Sequence, residues 1–178
     1  SEKPDVMVIA GDIYDRAVPP VDAVELLNRV FNTILLKLKV PIIAIAGNHD
    51  SADRLEFGNA LFTDKGLYIE GTFKKLQSKV VLEDEFGPVN FYLIPFAETA
   101  VMREILGDES IHSLDDAFKV ITNNIRVKMN TKERSVIIAH GYIRGEQELE
   151  TSDSERPLSI GGTDYINVDY FKEFDYTA

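Results

Sequence analysis

The sequence predicts an α/β fold, with parallel strands and helices at its start and an antiparallel meander or a second sheet in its middle. Three observations predict it: short apolar runs that end in polar residues, amphipathic helices between them, and a middle region of alternating segments. The 178 residues are 44% hydrophobic, which is enough for one core, so we expect a single domain over residues 1–178.

The first part of the chain reads as strand, helix, strand. Val6–Ala10 is an apolar run typical of a buried strand, and Val40–Ala46 is a second one. Between them a helix is predicted from Val21 to Lys39, with its apolar residues at helical spacing. Because such a unit forms a right-handed crossover between parallel strands, the loops Gly11–Asp15 and Gly47–Asp50 should leave the same edge of the sheet.

The middle of the chain carries three short segments with alternating polarity. Leu67–Glu70, Lys79–Glu83 and Val89–Pro95 are separated by turn residues, and they predict an antiparallel meander or a second sheet.

The last third contains one helix and one buried strand before a polar stretch. A helix is predicted over Leu114–Met129, because Ser113 provides a suitable N-cap. Ser135–Ala139 is an apolar run that ends at His140. Residues 145–167 are polar and contain glycine, which predicts a surface loop.

Composition excludes several classes of protein. The chain has no cysteine, which favours a reducing compartment and excludes thiol chemistry within it. No apolar run is long enough to span a bilayer and the start does not resemble a signal peptide, so we expect a cytoplasmic protein. The formal net charge of −11 argues against a simple nucleic-acid-binding protein. Bound divalent cations and a basic partner subunit would both reconcile that charge with nucleic-acid chemistry.

Polar side chains follow three of the predicted strands. Asp12 follows the first, Asn48 and His49 follow the second, and His140 follows the third. Carboxylate, amide and imidazole groups are suitable ligands for Mn²⁺, iron or Zn²⁺. Taken singly, Asp12 and Asn48 could be turn residues, and His140 could be a hydrogen-bonded core histidine.

The combination resembles a known family. Gly-Asp-x-x-Asp after one strand and Gly-Asn-His-Asp after the next, at Gly11–Asp15 and Gly47–Asp50, are similar to the motifs of the calcineurin-like metallophosphoesterases. The resemblance implies the two-sheet sandwich with flanking helices, and a site for two divalent metal ions, which we expect to be Mn²⁺.

The resemblance also implies a role for each matching residue. Asp12 would bridge the two metal ions, and Asn48 and His140 would bind the second ion. His49 would lie beside the scissile phosphate, where it stabilises charge or protonates the leaving oxygen. Asp50 would orient His49 through a hydrogen bond.

Flanking sequence resembles the SbcD-type nucleases within that superfamily. The similar stretches are Tyr14–Arg16 with Pro19-Pro20, then Ser152–Gly162, then Phe171–Tyr176. This resemblance implies a metal-dependent exonuclease and endonuclease subunit that hydrolyses phosphodiester bonds at double-stranded DNA ends in repair and recombination.

The same resemblance implies partners and leaves alternatives open. The implied partners are an SbcC-like coiled-coil ATPase and a second copy of the chain, as a homodimer within a heterotetramer. Leu26, Val30 and Leu36 give the first helix apolar positions that could serve the dimer, although all three could equally face the core. The alternatives are a small-molecule or protein phosphatase of the same superfamily, and a non-catalytic scaffold module.

Two family motifs are missing from the sequence, so we expect the fold to be incomplete at both ends. An Asp-x-His motif and a Gly-His-x-His motif are absent, and the three histidines are His49, His112 and His140. We therefore expect this chain to bind metal weakly and to have little or no catalytic activity. We also expect a central sheet edge without a partner strand.

Overall fold

A computed structural model describes residues 3–145 and 165–178 of the chain. The stretch Ser152–Gly162, which contributes to the SbcD-type resemblance, lies outside the described residues. The α-helices in the described part are α1 (Val21–Asn32), α2 (Ala52–Glu56), α3 (Asn59–Phe62), α4 (Thr99–Leu106) and α5 (Leu114–Lys128). The strands there are β1 (Met7–Ala10), β2 (Ile42–Ile45), β3 (Leu67–Glu70), β4 (Ser78–Asp84), β5 (Gly87–Ile94), β6 (Arg134–Ala139), β7 (Tyr142–Arg144), β8 (Tyr165–Asn167) and β9 (Tyr176–Thr177).

The first sheet is parallel, with strand order β1-β2-β3. Met7 pairs with Ile42, and Ile42 pairs in turn with Leu67, so the three strands end at one edge. The expected parallel β1–β2 pair is therefore confirmed. Placing Leu67–Glu70 with the antiparallel segments was wrong, because β3 joins β2 through a connection that contains α2 and α3.

The second sheet is mixed, with strand order β4-β5-β6-β9. β4 and β5 form the expected antiparallel hairpin, and β5 continues into a parallel pair with β6. β7 and β8 form a separate short parallel pair. The predicted loop over residues 145–167 was therefore wrong for Tyr165–Asn167, which is β8.

The two sheets pack face to face. One face of each sheet contributes to a shared apolar cluster, which includes Ile43 and Ile45 from β2, Phe91 and Leu93 from β5, and Ile138 from β6. The other face of the first sheet packs against α1, and the other face of the second sheet packs against α4 and α5. The predicted α/β sandwich of two sheets flanked by helices is confirmed.

The first helix changes its winding before it ends. After α1, residues Thr33–Leu38 form a π-helical segment, and Lys39 ends it with a left-handed backbone (φ +59°). The predicted helix from Val21 to Lys39 is correct in position, but its last part is not α-helical. α1 and the π-helical segment bury little of their surface, since Phe31 is their buried residue.

The helix α5 begins where its N-cap predicts. The Ser113 hydroxyl accepts a hydrogen bond from the Asp116 backbone N–H, and the Asp116 carboxylate accepts one from the Ser113 backbone N–H. Such a capping box satisfies two donors that would otherwise lack partners at the helix start. Among the described residues, no helix has both the length and the apolar character needed to cross a membrane.

Candidate metal centre

Gly11 and Asp12 form a sharp turn directly after β1. Both residues have a positive φ, +96° for Gly11 and +48° for Asp12. Glycine adopts this conformation easily, and aspartate is among the few other residues that tolerate it. A Cβ atom on Gly11 would overlap the ring of His140, and one on Gly47 would overlap Asp12. The two glycines therefore allow the three strand ends to come together.

The Asp12 carboxylate lies between the loops that follow β2 and β6. Its Oδ1 accepts a hydrogen bond from the His49 backbone N–H at 3.0 Å. Its Oδ2 lies 3.5 Å from His140 Nε2 and 3.9 Å from His49 Nδ1. One oxygen thus fixes the side chain, and the other points toward two imidazole rings.

The His140 ring is held between the ends of all three strands. Its Nδ1 lies 2.8 Å from the Ala10 carbonyl oxygen, and its Nε2 lies 2.9 Å from Asn48 Oδ1. A carbonyl oxygen only accepts hydrogen bonds, so the Ala10 contact places a proton on Nδ1. The neutral ring then presents the Nε2 lone pair to Asn48 and Asp12.

That arrangement brings three electron-rich atoms together: Asp12 Oδ2, Asn48 Oδ1 and the Nε2 lone pair of His140. Such atoms repel one another unless a proton or a cation lies between them. Donors around a first-row divalent ion lie about 2.0–2.2 Å from it, which puts neighbouring donors about 2.8–3.6 Å apart. The observed separations of 2.9 and 3.5 Å lie in that range. The three residues therefore fit one divalent metal ion.

A histidine that binds metal through one nitrogen usually donates its other N–H to a carbonyl or a carboxylate. The Ala10 carbonyl is in that position for His140. Phe96, which follows β5, packs edge-on against the same ring, with the centroids 6.4 Å apart. Neither residue was predicted as part of the site, because a main-chain oxygen and a packing contact leave no motif in the sequence.

Asp50 binds the main chain of both site loops. Its Oδ2 accepts hydrogen bonds from the backbone N–H groups of Ile13 at 3.0 Å and Gly47 at 2.9 Å. Its Oδ1 accepts one from the Tyr14 N–H at 2.9 Å. The resemblance implies a hydrogen bond to His49 instead, and in the described structure the Asp50 carboxylate is occupied by these three backbone donors.

His49, Asp15 and His112 differ in their positions relative to the centre. His49 lies at the metal centre, with its side chain 10% exposed. Asp15 points to solvent and pairs with Arg16 at 3.4 Å, so it lies outside the centre. His112 is exposed, in the segment before α5. In the described part of the chain, no group of three or more His, Cys, Asp and Glu side chains is placed to hold a metal ion. The candidate centre of Asp12, Asn48 and His140 counts an amide among its three donors, and an amide does not belong to such a group.

Burial affects the tyrosine beside this centre. Desolvation raises the pKa of Tyr14, and the negative charge of Asp50 raises it further. Its phenol therefore stays protonated near neutral pH, as a possible hydrogen-bond donor.

One comparison with known proteins bears on this centre. The family model of the calcineurin-like phosphoesterases matches residues 1–166 of the chain, which includes all the residues described above.

Proposed function

Because the chain belongs to the calcineurin-like phosphoesterases, we propose that it is part of a metal-dependent nuclease of the SbcD type that hydrolyses phosphodiester bonds at double-stranded DNA ends. The family supports a metal-dependent phosphoester hydrolase. The observation that carries the proposal is the convergence of Asp12, Asn48, His49 and His140 at one edge of two sheets.

Each residue then has a task. Asp12 Oδ2, Asn48 Oδ1 and His140 Nε2 would hold a divalent ion, for which we propose Mn²⁺, and Asp12 would share a second one. When bound, such ions polarise the phosphate and lower the pKa of water. The His49 ring, beside Asp12, would donate a hydrogen bond to the phosphate or a proton to the leaving oxygen. Asp50 holds the loops after β1 and β2 together through its hydrogen bonds to their backbone N–H groups.

The choice of DNA as substrate rests on the SbcD-type stretches of the sequence, which are Tyr14–Arg16 with Pro19-Pro20, Ser152–Gly162 and Phe171–Tyr176. The net charge of −11 is unfavourable for DNA backbone binding. We therefore propose that the metal ions and a coiled-coil ATPase partner provide the positive charge that DNA ends require.

Metal binding tests the centre itself. We expect Asn48→Leu to weaken Mn²⁺ binding to this chain at least about tenfold, measured by calorimetry, because it removes one of three donors. Asn123→Leu, on the exposed surface of α5, is the matched control and should bind like the parent chain. If Asn48→Leu binds Mn²⁺ as tightly as the parent chain, the proposed centre is wrong.

Substrate choice is tested separately. A version of the chain extended with an Asp-x-His strand before it and a Gly-His-x-His motif after it should bind two Mn²⁺ ions and cleave duplex DNA. This chain alone should show little turnover. The extended form could instead bind both ions, leave DNA uncut and hydrolyse nucleotides or phosphopeptides. That result would support the metal centre and would favour a phosphatase over a nuclease.

We also propose that the chain forms a homodimer through α1–α3. This surface carries an apolar groove of about 740 Å³ between α1, the π-helical segment, α2 and α3. Phe57, which lines the groove, is 85% exposed, and Leu26 of α1 (54%) and Leu61 of α3 (78%) are exposed apolar residues of the same surface. Exposed apolar surface of this extent is unusual on a monomer, and a second copy offers the same apolar surface in return.

Sedimentation velocity tests the dimer. The chain should sediment as a dimer, and Leu26→Glu with Phe57→Glu should produce a folded monomer, since both side chains are exposed. Val127→Glu, at a residue of α5 that is 78% exposed, should leave the dimer intact. A monomeric parent chain at high concentration contradicts the proposal.

A further inference from the structure

Another concave site lies on the helix-covered face of the second sheet. It is a groove of about 730 Å³ between β4, β5, α4 and α5. Tyr92, Leu106 and Ile125 are its buried apolar lining, and Lys75, Lys79 and Lys128 surround them. We name this the lysine groove. Its volume lies within the range that is usual for small-molecule sites.

Three lysines line this groove, although the chain as a whole carries a net charge of −11. Within the described residues, none of the three lysines lies within 4.0 Å of a carboxylate oxygen. Lys74, beside them in sequence, pairs with two carboxylates at 2.7 and 3.0 Å. The acidic residue that lines the groove is Asp108. The lining itself therefore carries a net positive charge, and Glu133, outside the lining, interacts with Lys79.

Two of the lysines also lie at helix ends. Lys128 is in the last turn of α5, and Lys75 Nζ lies near Gly107, which ends α4. Helix C-termini attract cations, and this accounts for part of their placement. Lys79 has no such helix end, because it lies on β4 opposite Tyr92. Its charge helps lower the pKa of Glu133, after the hydrogen bonds from Asn90 and Asn130.

The lining also contains groups that form directional hydrogen bonds. Gln77 donates its amide to the Lys74 carbonyl, which leaves its side-chain oxygen as an acceptor. Asn124 and the Tyr92 hydroxyl have no hydrogen-bond partner within the described part of the chain. An acyl chain would leave these groups without partners, at a cost in binding. A heteroaromatic ring would pair with them and cover the apolar lining.

We propose that the lysine groove binds a nucleotide, with the phosphate between Lys75, Lys79 and Lys128 and the base against Tyr92 and Asn124. Lysine acts as a point charge that suits phosphate. The groove is separate from the metal centre. Tyr92 packs with α4 and α5, whereas its neighbours Phe91 and Leu93 face the core between the two sheets. The inference goes beyond the nuclease proposal and holds whether or not the chain cleaves DNA.

Adenosine monophosphate is the probe, titrated into this chain with EDTA present so that divalent ions at the metal centre do not contribute. Heteronuclear NMR should show saturable shifts at residues of β4, β5 and α5. Adenosine alone and inorganic phosphate alone should each bind at least about tenfold more weakly, because each uses half of the groove. Binding should weaken as the salt concentration rises.

Two variants, one double and one single, locate the binding. Lys79→Gln with Lys128→Gln should weaken adenosine monophosphate about tenfold or more, and Asn124→Asp should also weaken it by adding a negative charge. All three substitutions are at exposed residues, so circular dichroism should show an unchanged fold. Lys37→Gln, on the π-helical segment, is the matched control and should bind like the parent chain.

The proposal fails if adenosine monophosphate gives no saturable shifts, or if phosphate alone binds as tightly. It also fails if Lys79→Gln with Lys128→Gln has no effect, or if Lys37→Gln weakens binding to the same extent.

Discussion

The carboxylate of Asp50 shows at the scale of one residue how the metal centre is built. Its three hydrogen bonds go to backbone N–H groups in the loops after β1 and β2. These loops carry Asp12 and Asn48, so a side chain that touches neither of them sets the distance between them. Asp50 thus acts on the positions of the ligands.

Asp50→Asn should weaken both the fold and the metal centre. An amide offers one accepting oxygen where the carboxylate offers two, and its NH₂ group would face a backbone N–H. We expect a loss of about 1–3 kcal/mol in the free energy of unfolding, measured with urea, together with weaker Mn²⁺ binding in calorimetry. Asp15→Asn, at a side chain that is 82% exposed, is the control and should change neither quantity.

Gly47→Ala tests the close approach of the loops. The added Cβ would overlap the side chain and backbone N of Asp12, so the loops must separate. We expect a loss of about 1–3 kcal/mol in stability and a Mn²⁺ affinity too weak for calorimetry. Gly145→Ala is the control, since its Cβ would meet Val168 at an ordinary 3.7 Å. Normal Mn²⁺ binding by Gly47→Ala would contradict this account of the glycine.

At the scale of the element, a charged cluster fastens the short helix α2 to β3. Lys74 Nζ lies 2.7 Å from Glu70 on β3 and 3.0 Å from Glu56 on α2. The hydrogen bond with Glu70 raises the pKa of Lys74, and the bond with Glu56 adds to it. α2 follows the Gly47–Asp50 loop almost directly. By holding α2 against β3, the cluster therefore also restricts the position of that loop. Sequence reasoning did not find it.

Lys74→Met should loosen α2, because Glu70 is buried and would lose its cation. We expect a loss of about 1–3 kcal/mol in the free energy of unfolding at pH 7, and faster amide hydrogen exchange in α2. The raised pKa of Lys74 means that its contribution is complete below pH about 10 and is lost at higher pH. Lys75→Met, at a lysine without an ion pair within the described residues, should retain normal exchange in α2.

The elements also show which parts of the fold the sequence could predict. Val6–Ala10 and Val40–Ala46 were found because uninterrupted apolar runs are typical of buried parallel strands. The same logic could not assign Leu67–Glu70 to a sheet. A segment of four residues is too short for its sequence pattern to distinguish a parallel from an antiparallel strand. α4 was missed because eight residues give little more than two turns of periodicity.

The candidate site also has parts that the sequence could predict and parts that it could not. Asp12, Asn48, His49 and His140 could be predicted as site residues because side chains at motif spacing are visible in the sequence, and the structure brings them close together. The bonds of Asp50 to the main chain, and of His140 to the Ala10 carbonyl, leave none, because any residue supplies the same backbone atoms. The contacts that hold the ligands in place therefore required the structure.

At the scale of the whole molecule, we expect acid to lower the stability of the fold by weakening the contact between the β4–β5 hairpin and β6. The hydrogen bonds from Arg134 on β6, followed by the one from the Phe86 N–H, together lower the pKa of Asp84 to about 2. Because the pKa in the folded chain is below the ordinary value, this contribution is present above pH about 4 and is lost as the pH falls toward 2.

Thermal unfolding between pH 2 and pH 6 tests this. Asp84→Asn should unfold at a lower temperature than the parent chain at pH 6, and the difference should shrink as the pH approaches 2. Glu85→Gln, at the neighbouring exposed carboxylate, is the control and should follow the parent chain throughout. A difference between Asp84→Asn and the parent chain that is constant with pH would contradict the role given to Asp84.

The hydrogen bonds of Asp50 have a consequence for how this protein can evolve. When two side chains bond to each other, a change in one can be compensated by a change in the other, and the pair varies together among relatives. The partners of Asp50 are main-chain N–H groups, which no ordinary substitution at Ile13 or Tyr14 can redesign. Among related sequences, Asp50 should therefore be invariant and yet show no coevolving partner. Methods that infer contacts from correlated substitutions would overlook the residue that holds the metal centre together.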